Sequence, residues 1–264
     1  MKLNLKMYSP NEQLKKYVQC YWVLDNITTQ NSILTQKIIS DGSNGLIFNI
    51  ASPISLTISE TEISNLSDVF ITGATAKPTY LTINNKTKLI GIRFNIGGSY
   101  PFFDENLNNY IDTARSVDNT NFNNILKNIR DITNIDNIIK ILDNFLIDSI
   151  IEEKIEKSDF ILEVIKSIFQ NNNLTKDELC QNFNISQRQL ERRFKEVVGL
   201  SIKQILSIIK IHNSRQTIRN NDFSTLTQVG YNSNYCDQSH FIKEFKKFTD
   251  TTPKKYYKEK ISLS

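Results

Sequence analysis

Two short runs of basic and amide side chains carry the clearest chemistry in this 264-residue chain. The first holds Gln187, Arg188, Glu191, Arg192 and Lys195; the second holds Gln238, Ser239, His240, Lys243 and Lys247. On a helix, Arg188, Arg192 and Lys195 stand at i, i+4 and i+7 and share one face, with Gln187 and Glu191 beside them. His240, Lys243 and Lys247 share the corresponding face of the second run, with Gln238 and Ser239 at its N-terminal end. Arg and Lys reach guanine edges and phosphates, Gln pairs with adenine, and a helix N-terminus favours phosphate. One basic helix face is ordinarily just solvated. Two in tandem point to double-stranded DNA.

Elsewhere the chain is poor in groups that could do catalysis. The two histidines are His212 and His240, so residues 1–158 hold none. That excludes a histidine-based metal cluster and a Cys–His nucleophile from this half. Cys20, Cys180 and Cys236 lie far apart, as reduced thiols in the cytoplasm would, and not as a disulfide framework. Cys20 reads as a core residue of a strand. Cys236 has no partner nearby in sequence and reads as incidental, the alternative being a redox reporter. Trp22 and its aromatic neighbours suit core packing or the lining of a pocket. "NIGGSYPFF" (95–103) lacks the ending and spacing of a phosphate loop. No catalytic residue, metal or cofactor is expected.

The elements that must carry the basic runs change character along the chain. Up to about residue 94, seven β-rich runs (17–25, 32–39, 45–50, 53–58, 68–73, 80–84, 87–94) are separated by Asp, Gly, Asn, Ser and Pro. That is the pattern of a sandwich or small barrel. The period then becomes helical. Phe122, Ile125, Leu126 and Ile129 form one stripe; Ile135, Ile138, Leu142, Phe145, Leu146 and Ile150 form a second. Phe160, Ile161, Val164, Ile165, Ile168 and Phe169 form a third, ending at the Asn run 171–173. The charged stretch 152–159 is the best boundary, giving units 1–158 and 159–264.

Thr175 with Glu178, and Ser186 with Gln189, match capping boxes, the second opening a helix over 186–198. A longer helix is expected from about Ile202 to Arg219. Arg192–Lys195 then recurs as Lys243–Lys246 at an offset of 51, where Leu190 also meets Phe241 and "GLSI" (199–202) meets "DTTP" (250–253). One offset across core, basic face and terminating turn implies two copies of one unit. Asp237 caps the second copy's helix, 237–248. Leu190, Phe194 and Val198 face the core in one copy, and Phe241, Phe245 and Phe248 in the other. The fold class is α+β: an N-terminal small β-barrel or sandwich with trailing helices, then an all-α domain of two helix-turn-helix units joined by a linker helix.

Charge follows the same division. Residues 1–158 carry 15 Lys and Arg against 17 Asp and Glu, whereas residues 159–264 carry 17 against 11, a net +6. The basic part is the one expected to meet a polyanion. No run is long and apolar enough to span a bilayer, and "MKLNLKMYSP" does not read as a signal peptide, so no membrane partner is expected.

The segment "LTKDELCQNFNISQRQLERRFKEVVGLSIKQIL", followed by "TLTQVGYNSNYCDQSHFIKEFKKFTDTTPKKYY", resembles the DNA-binding domain of the AraC/XylS family of bacterial transcription regulators. The resemblance covers roughly residues 160–258. It implies two recognition helices entering successive major-groove segments, with base-reading positions at Arg188, Glu191 and Arg192, then Gln238, Ser239 or His240, and Lys243. Four residues depart from the pattern: Ile202 replaces a usual Pro, Lys210 an Arg, Gly230 an Ala and Asn234 a turn Gly. Gly230 within a helix should cost roughly 1 kcal/mol against Ala. "YVQCYWVLD", "SDGSNGLIFNI", "ITGATAKPTYLT" and "LIGIRFNIGGSYPFF" resemble, less specifically, the small β-barrel region fused to many such regulators, where it senses a ligand or mediates dimers. Together these imply a cytoplasmic, sequence-specific regulator, an activator, with promoter DNA and RNA polymerase as partners. A small-molecule effector and a homodimer are further expectations. The alternative is a ligand-binding or interaction module whose basic C-terminal domain contacts a protein partner.

Overall fold

The computed structural model describes residues 4–26, 33–39, 41–58, 60–64, 66–105, 107–171, 173–233, 235 and 237–261. Asn234 and Cys236, singled out above, lie outside the described residues. The strands are β1 (Leu5–Tyr8), β2 (Val18–Asp25), β3 (Ile33–Ile38), β4 (Gly45–Asn49) and β5 (Ser55–Ile58), then β6 (Thr61–Ile63), β7 (Val69–Thr72), β8 (Thr79–Asn84), β9 (Lys88–Phe94) and β10 (Ala114–Ser116). They form a six-stranded sheet, β1-β2-β9-β4-β7-β10, and a four-stranded sheet, β3-β8-β5-β6. No pairing among the described residues joins the two sheets, so they make a sandwich and not a closed barrel.

The six-stranded sheet is covered on both faces, which explains why its central strands read as near-continuous apolar runs. Ile47, Phe70 and Leu89 point at the four-stranded sheet, while their neighbours Leu46, Phe48, Ile71, Ile90 and Ile92 point the other way. That second face is roofed by α1 (Thr120–Arg130), α2 (Ile135–Asp148) and α3 (Glu152–Gln170). Phe103, Phe122 and Phe145 stack edge-on in succession, with centroids 6.0 and 5.6 Å apart, and tie the sheet to α1 and α2. β8 alternates buried and half-buried residues, as a strand with one wet face should.

All seven expected strands are present. β1, β6 and β10 are additions: each is three or four residues long and mostly exposed, so none carries a burial pattern to read. Two placements differ from expectation. Phe169 turns away from its stripe and is 45 % exposed, its ring perpendicular to that of His212 at 6.2 Å. Cys20 is half-buried and not in the core; burial nonetheless pushes its thiol pKa up, with Arg93 opposing. The 158/159 division falls within α3. There Ser158 Oγ donates to the Gly97 carbonyl at 2.9 Å, and Asp159 accepts from Lys16 at 3.0 Å and from the Tyr17 hydroxyl at 3.1 Å.

Gly91 on β9 faces Trp22 on β2 across the ladder. A Cβ there would lie 2.0 Å from Trp22 Cε2, inside the indole ring. Gly91→Ala should therefore displace the chain's one tryptophan and destabilise the fold by about 1–3 kcal/mol. Urea unfolding followed by tryptophan emission checks both at once; unchanged emission and midpoint would show that the indole does not need this glycine.

Candidate nucleic-acid interface

The C-terminal helices are α4 (Lys176–Asn182), α5 (Gln187–Val197), α6 (Ile202–Asn220), α7 (Leu226–Asn232), α8 (Gln238–Thr249) and α9 (Pro253–Ile261). Local chemistry sets their starts. Thr175 with Glu178, Ser186 with Gln189, and Ser201 with Gln204 all form reciprocal capping boxes. Asp237 caps α8 by accepting from the His240 backbone N–H at 2.7 Å. α5 and α8 both end in a left-handed residue, Gly199 at φ +88° and Asp250 at φ +53°, which stops the helix. These two residues are 51 apart, like the helices they end, but the caps of α4 and α7, Thr175 and Thr225, are 50 apart. The second unit's turn is thus one residue longer.

The inward faces are those expected. Leu190, Phe194 and Val198, and Phe241, Phe245 and Phe248, are all buried. α6 joins the units: Ser214 on α6 donates to Ser233, beyond α7, at 2.7 Å in a buried contact. Gly230 has a use beyond its helix. A Cβ there would stand 3.0 Å from Phe241 Cδ1, so the missing side chain makes room for the ring of α8.

The outward faces divide into free and engaged groups. Arg188, Arg192 and Lys195 are exposed, and among the described residues none has a carboxylate within ion-pair distance. Gln187 and Glu191, by contrast, face α4: the Gln187 amide donates to Asp177, and Glu191 accepts from Lys176 at 3.4 Å. On α8, Gln238, Ser239, His240 and Lys243 are exposed. The His240 ring stands edge-on to Tyr235 at 5.4 Å. Lys247 lies 3.7 Å from Glu244 and caps the Phe248 ring at 5.3 Å. Arg193, within the basic run, faces elsewhere: its guanidinium stacks on Phe160 of α3 at 4.4 Å.

Behind α5 lies the acidic counterpart. Burial alone would raise the pKa of Glu196, but hydrogen bonds from Lys157 and Tyr100 outweigh it and hold the carboxyl below its usual range. The same contact, with burial, pushes Tyr100 up to about 12. Sequence reasoning missed Lys176, Asp177 and α9. Pro253 at the first helical position, with Thr252 accepting from the Lys255 N–H at 3.3 Å, was the available signal for α9.

Residues 179–259 match a family profile described as a helix-turn-helix domain. The xylose operon regulatory protein of Escherichia coli K12 is 32% identical over 80 residues, covering 30% of this chain and 20% of that protein. The transcriptional activator RhaS of Klebsiella pneumoniae is 27% identical over 78 residues, 30% of this chain and 28% of that one. Residues 179–259 are thus a helix-turn-helix domain of the AraC/XylS type. The chain spans only 20% and 28% of these two relatives' length. Residues 6–116 match a domain of unknown function (DUF6597). ToxT of Vibrio cholerae is 13% identical, with a TM-score of 0.47, covering 86% of this chain and 97% of that one. Among the described residues no helix is long and apolar enough to cross a membrane, and no cluster of His, Cys, Asp or Glu could hold a metal.

The Ser186 box satisfies the first amides of α5 without touching its outer face. Ser186→Ala should cost about 1 kcal/mol of stability, measured by chemical denaturation of the intact chain. An unchanged midpoint would mean that packing alone fixes the start of α5.

Proposed function

We propose that the chain is a sequence-specific, DNA-binding transcription regulator, an activator, that reads two adjacent major-groove segments with α5 and α8. The observation that carries this reading is the pair of capped helices, each burying one face and exposing a basic one, held by a single linker helix. We divide the chain into a sensing or dimerising unit, 1–158, and an AraC-type unit, 159–264. Arg188, Arg192, Gln238 and Lys243 carry most of the base reading; Ser239 and His240 lie at the mouth of the second groove contact. Lys195 and Lys247 neutralise phosphates and supply the salt-dependent affinity. Gln187 and Glu191, bonded to α4, touch DNA only from fixed positions, with Glu191 suited to a cytosine amino group.

The relatives are regulators, and the proposal extends that role to the whole chain: no enzymatic activity, a cytoplasmic location, RNA polymerase as protein partner, and a homodimer. A cavity of about 240 Å³, lined among others by Phe102, Phe103, Asp104, Glu105, Phe122, Phe145 and Asp148, is smaller than the roughly 300–1,000 Å³ of ordinary ligand pockets and would suit only a very small effector.

The first test is selection of genomic fragments by the purified chain at about 150 mM salt, where non-specific phosphate binding is weak. The expected result is a motif of two half-sites one helical turn apart, about 34 Å. Retention without any shared motif would favour the protein-partner alternative. On the selected site, Arg192→Ala should cost about 1–3 kcal/mol and relax one base position; full affinity with unchanged base preference would remove Arg192 from the reading set. Lys247→Ala should weaken all sequences alike and shallow the salt slope by about one, so a sequence-selective loss would contradict its phosphate role.

A further inference from the structure

The β-sandwich touches the two helix-turn-helix units at equivalent points but by different means. Gly199 ends α5, and its α-carbon faces Ile111 and Leu107: a Cβ there would lie 3.0 Å from Ile111 Cγ1 and 3.5 Å from the Leu107 carbonyl. Close by, Glu196 accepts from the Tyr100 hydroxyl at 2.9 Å and pairs with Lys157 of α3. Arg193 on Phe160, and Phe160 edge-on to Phe183 at 5.7 Å, hold the first unit on the C-terminal part of α3. The first unit is therefore held to the N-terminal domain by the close apolar approach at Gly199 and by the part-buried Tyr100–Glu196 bond. The linker helix is gripped too, because Gly42, at φ +81°, lies against Ile205 and Ile208 of α6.

At the second unit the matching position is Asp250, and the contact is polar and partly wet. Its carboxylate accepts from the Tyr80 hydroxyl on β8. Lys37 on β3 donates to the Thr249 carbonyl at 3.1 Å and stands 4.0 Å from Asp250 Oδ2. Asp250 is 54% exposed and Lys37 29% exposed, so solvent competes for each bond. Both groups lie at the end of α8 remote from Gln238 and Ser239.

We propose that the Lys37–Tyr80–Asp250 contact is a releasable latch by which the outer face of the β-sandwich sets the position of the second recognition helix relative to the first. The first unit is anchored, the second is held by the latch and α6. Latched, the pair reads half-sites at one spacing; released, α8 pivots about α6 and tolerates others. The inference rests on the DNA-reading role above for its consequence, but not for the latch itself.

Two measurements on the full-length chain separate the two. Tyr80→Phe removes only a hydroxyl, and Asp250→Gly removes the carboxylate while easing the left-handed turn that Gly199 already makes with glycine. In amide hydrogen exchange without DNA, both variants should lose about threefold of protection in α7 and α8 with α4 and α5 unchanged, in line with the modest strength of exposed polar contacts. Unchanged exchange in both variants would overturn the latch, whatever the protein binds. Duplexes carrying the selected half-sites with one or two base pairs added or removed then test the consequence. The native chain should prefer one spacing by about tenfold, and both variants should compress that preference by about three- to tenfold. Equal preference in native and variant chains, or no preference in the native one, would overturn the spacing role. A native chain that selects no motif would instead sink the DNA-reading role and leave the exchange result standing.

Discussion

One helix has to satisfy three neighbours at once. α6 buries Ile202, Ile205, Ile208, Ile209, Ile211, Ser214 and Ile218, positions that sweep around most of its circumference instead of forming a stripe. A helix apolar nearly all round is stable only when enclosed, and its many β-branched residues make tertiary burial, not propensity, its support. The enclosure comes from the Gly42 loop on one side, from Ser233 on another, and from Tyr256 of α9, whose ring meets the Arg215 guanidinium at 5.8 Å. Neither helix-turn-helix unit can shift without α6 losing part of that cover.

The charged groups around α5 are sorted by face. Asp177, Glu191 and Glu196 are drawn into contacts with Gln187, Lys176, Lys157 and Tyr100. Contacts of this exposed kind add little stability. Their larger effect is on the field: these acids are drawn to the flanks and rear, Glu196 still within electrostatic reach of Arg192, while Arg188, Arg192 and Lys195 stay exposed and out of ion-pair distance. A surface that keeps its cations unpaired on one side concentrates positive potential there and speeds the approach of a polyanion.

What the sequence made legible follows from where its information is local. Capping boxes, the 51-residue repeat and the inward stripes of α5 and α8 depend on residues within a few positions of one another, and each is found where the pattern put it. The short edge strands β1, β6 and β10 carry no such signal, and Phe169 shows that a periodic stripe overstates burial at a helix end. The engagement of Gln187 and Glu191 with α4 was within reach, since Asp177 and Lys176 precede them closely, yet periodicity assigns a face without saying what the neighbouring helix offers. Contacts such as Tyr80 with Asp250, or Gly42 with Ile205, join residues more than 160 positions apart, and nothing local to either end announces them.

The two units also solve the same packing problem with different volumes. In register by their caps, Cys180 of α4 corresponds to Gly230 of α7, and in register by their recognition helices, Leu190 corresponds to Phe241. The first unit thus has a small side chain and an aliphatic one at the positions where the second has none and a ring. Deleting the Gly230 side chain costs helix stability, but it opens the space that Phe241 fills at van der Waals distance. From there the ring leads an aromatic chain through Phe245 to Tyr256, with centroids 5.7 and 5.6 Å apart. Large offset rings add attraction beyond their buried area, so a glycine that looks like a defect on its own helix is the condition for the core of the next.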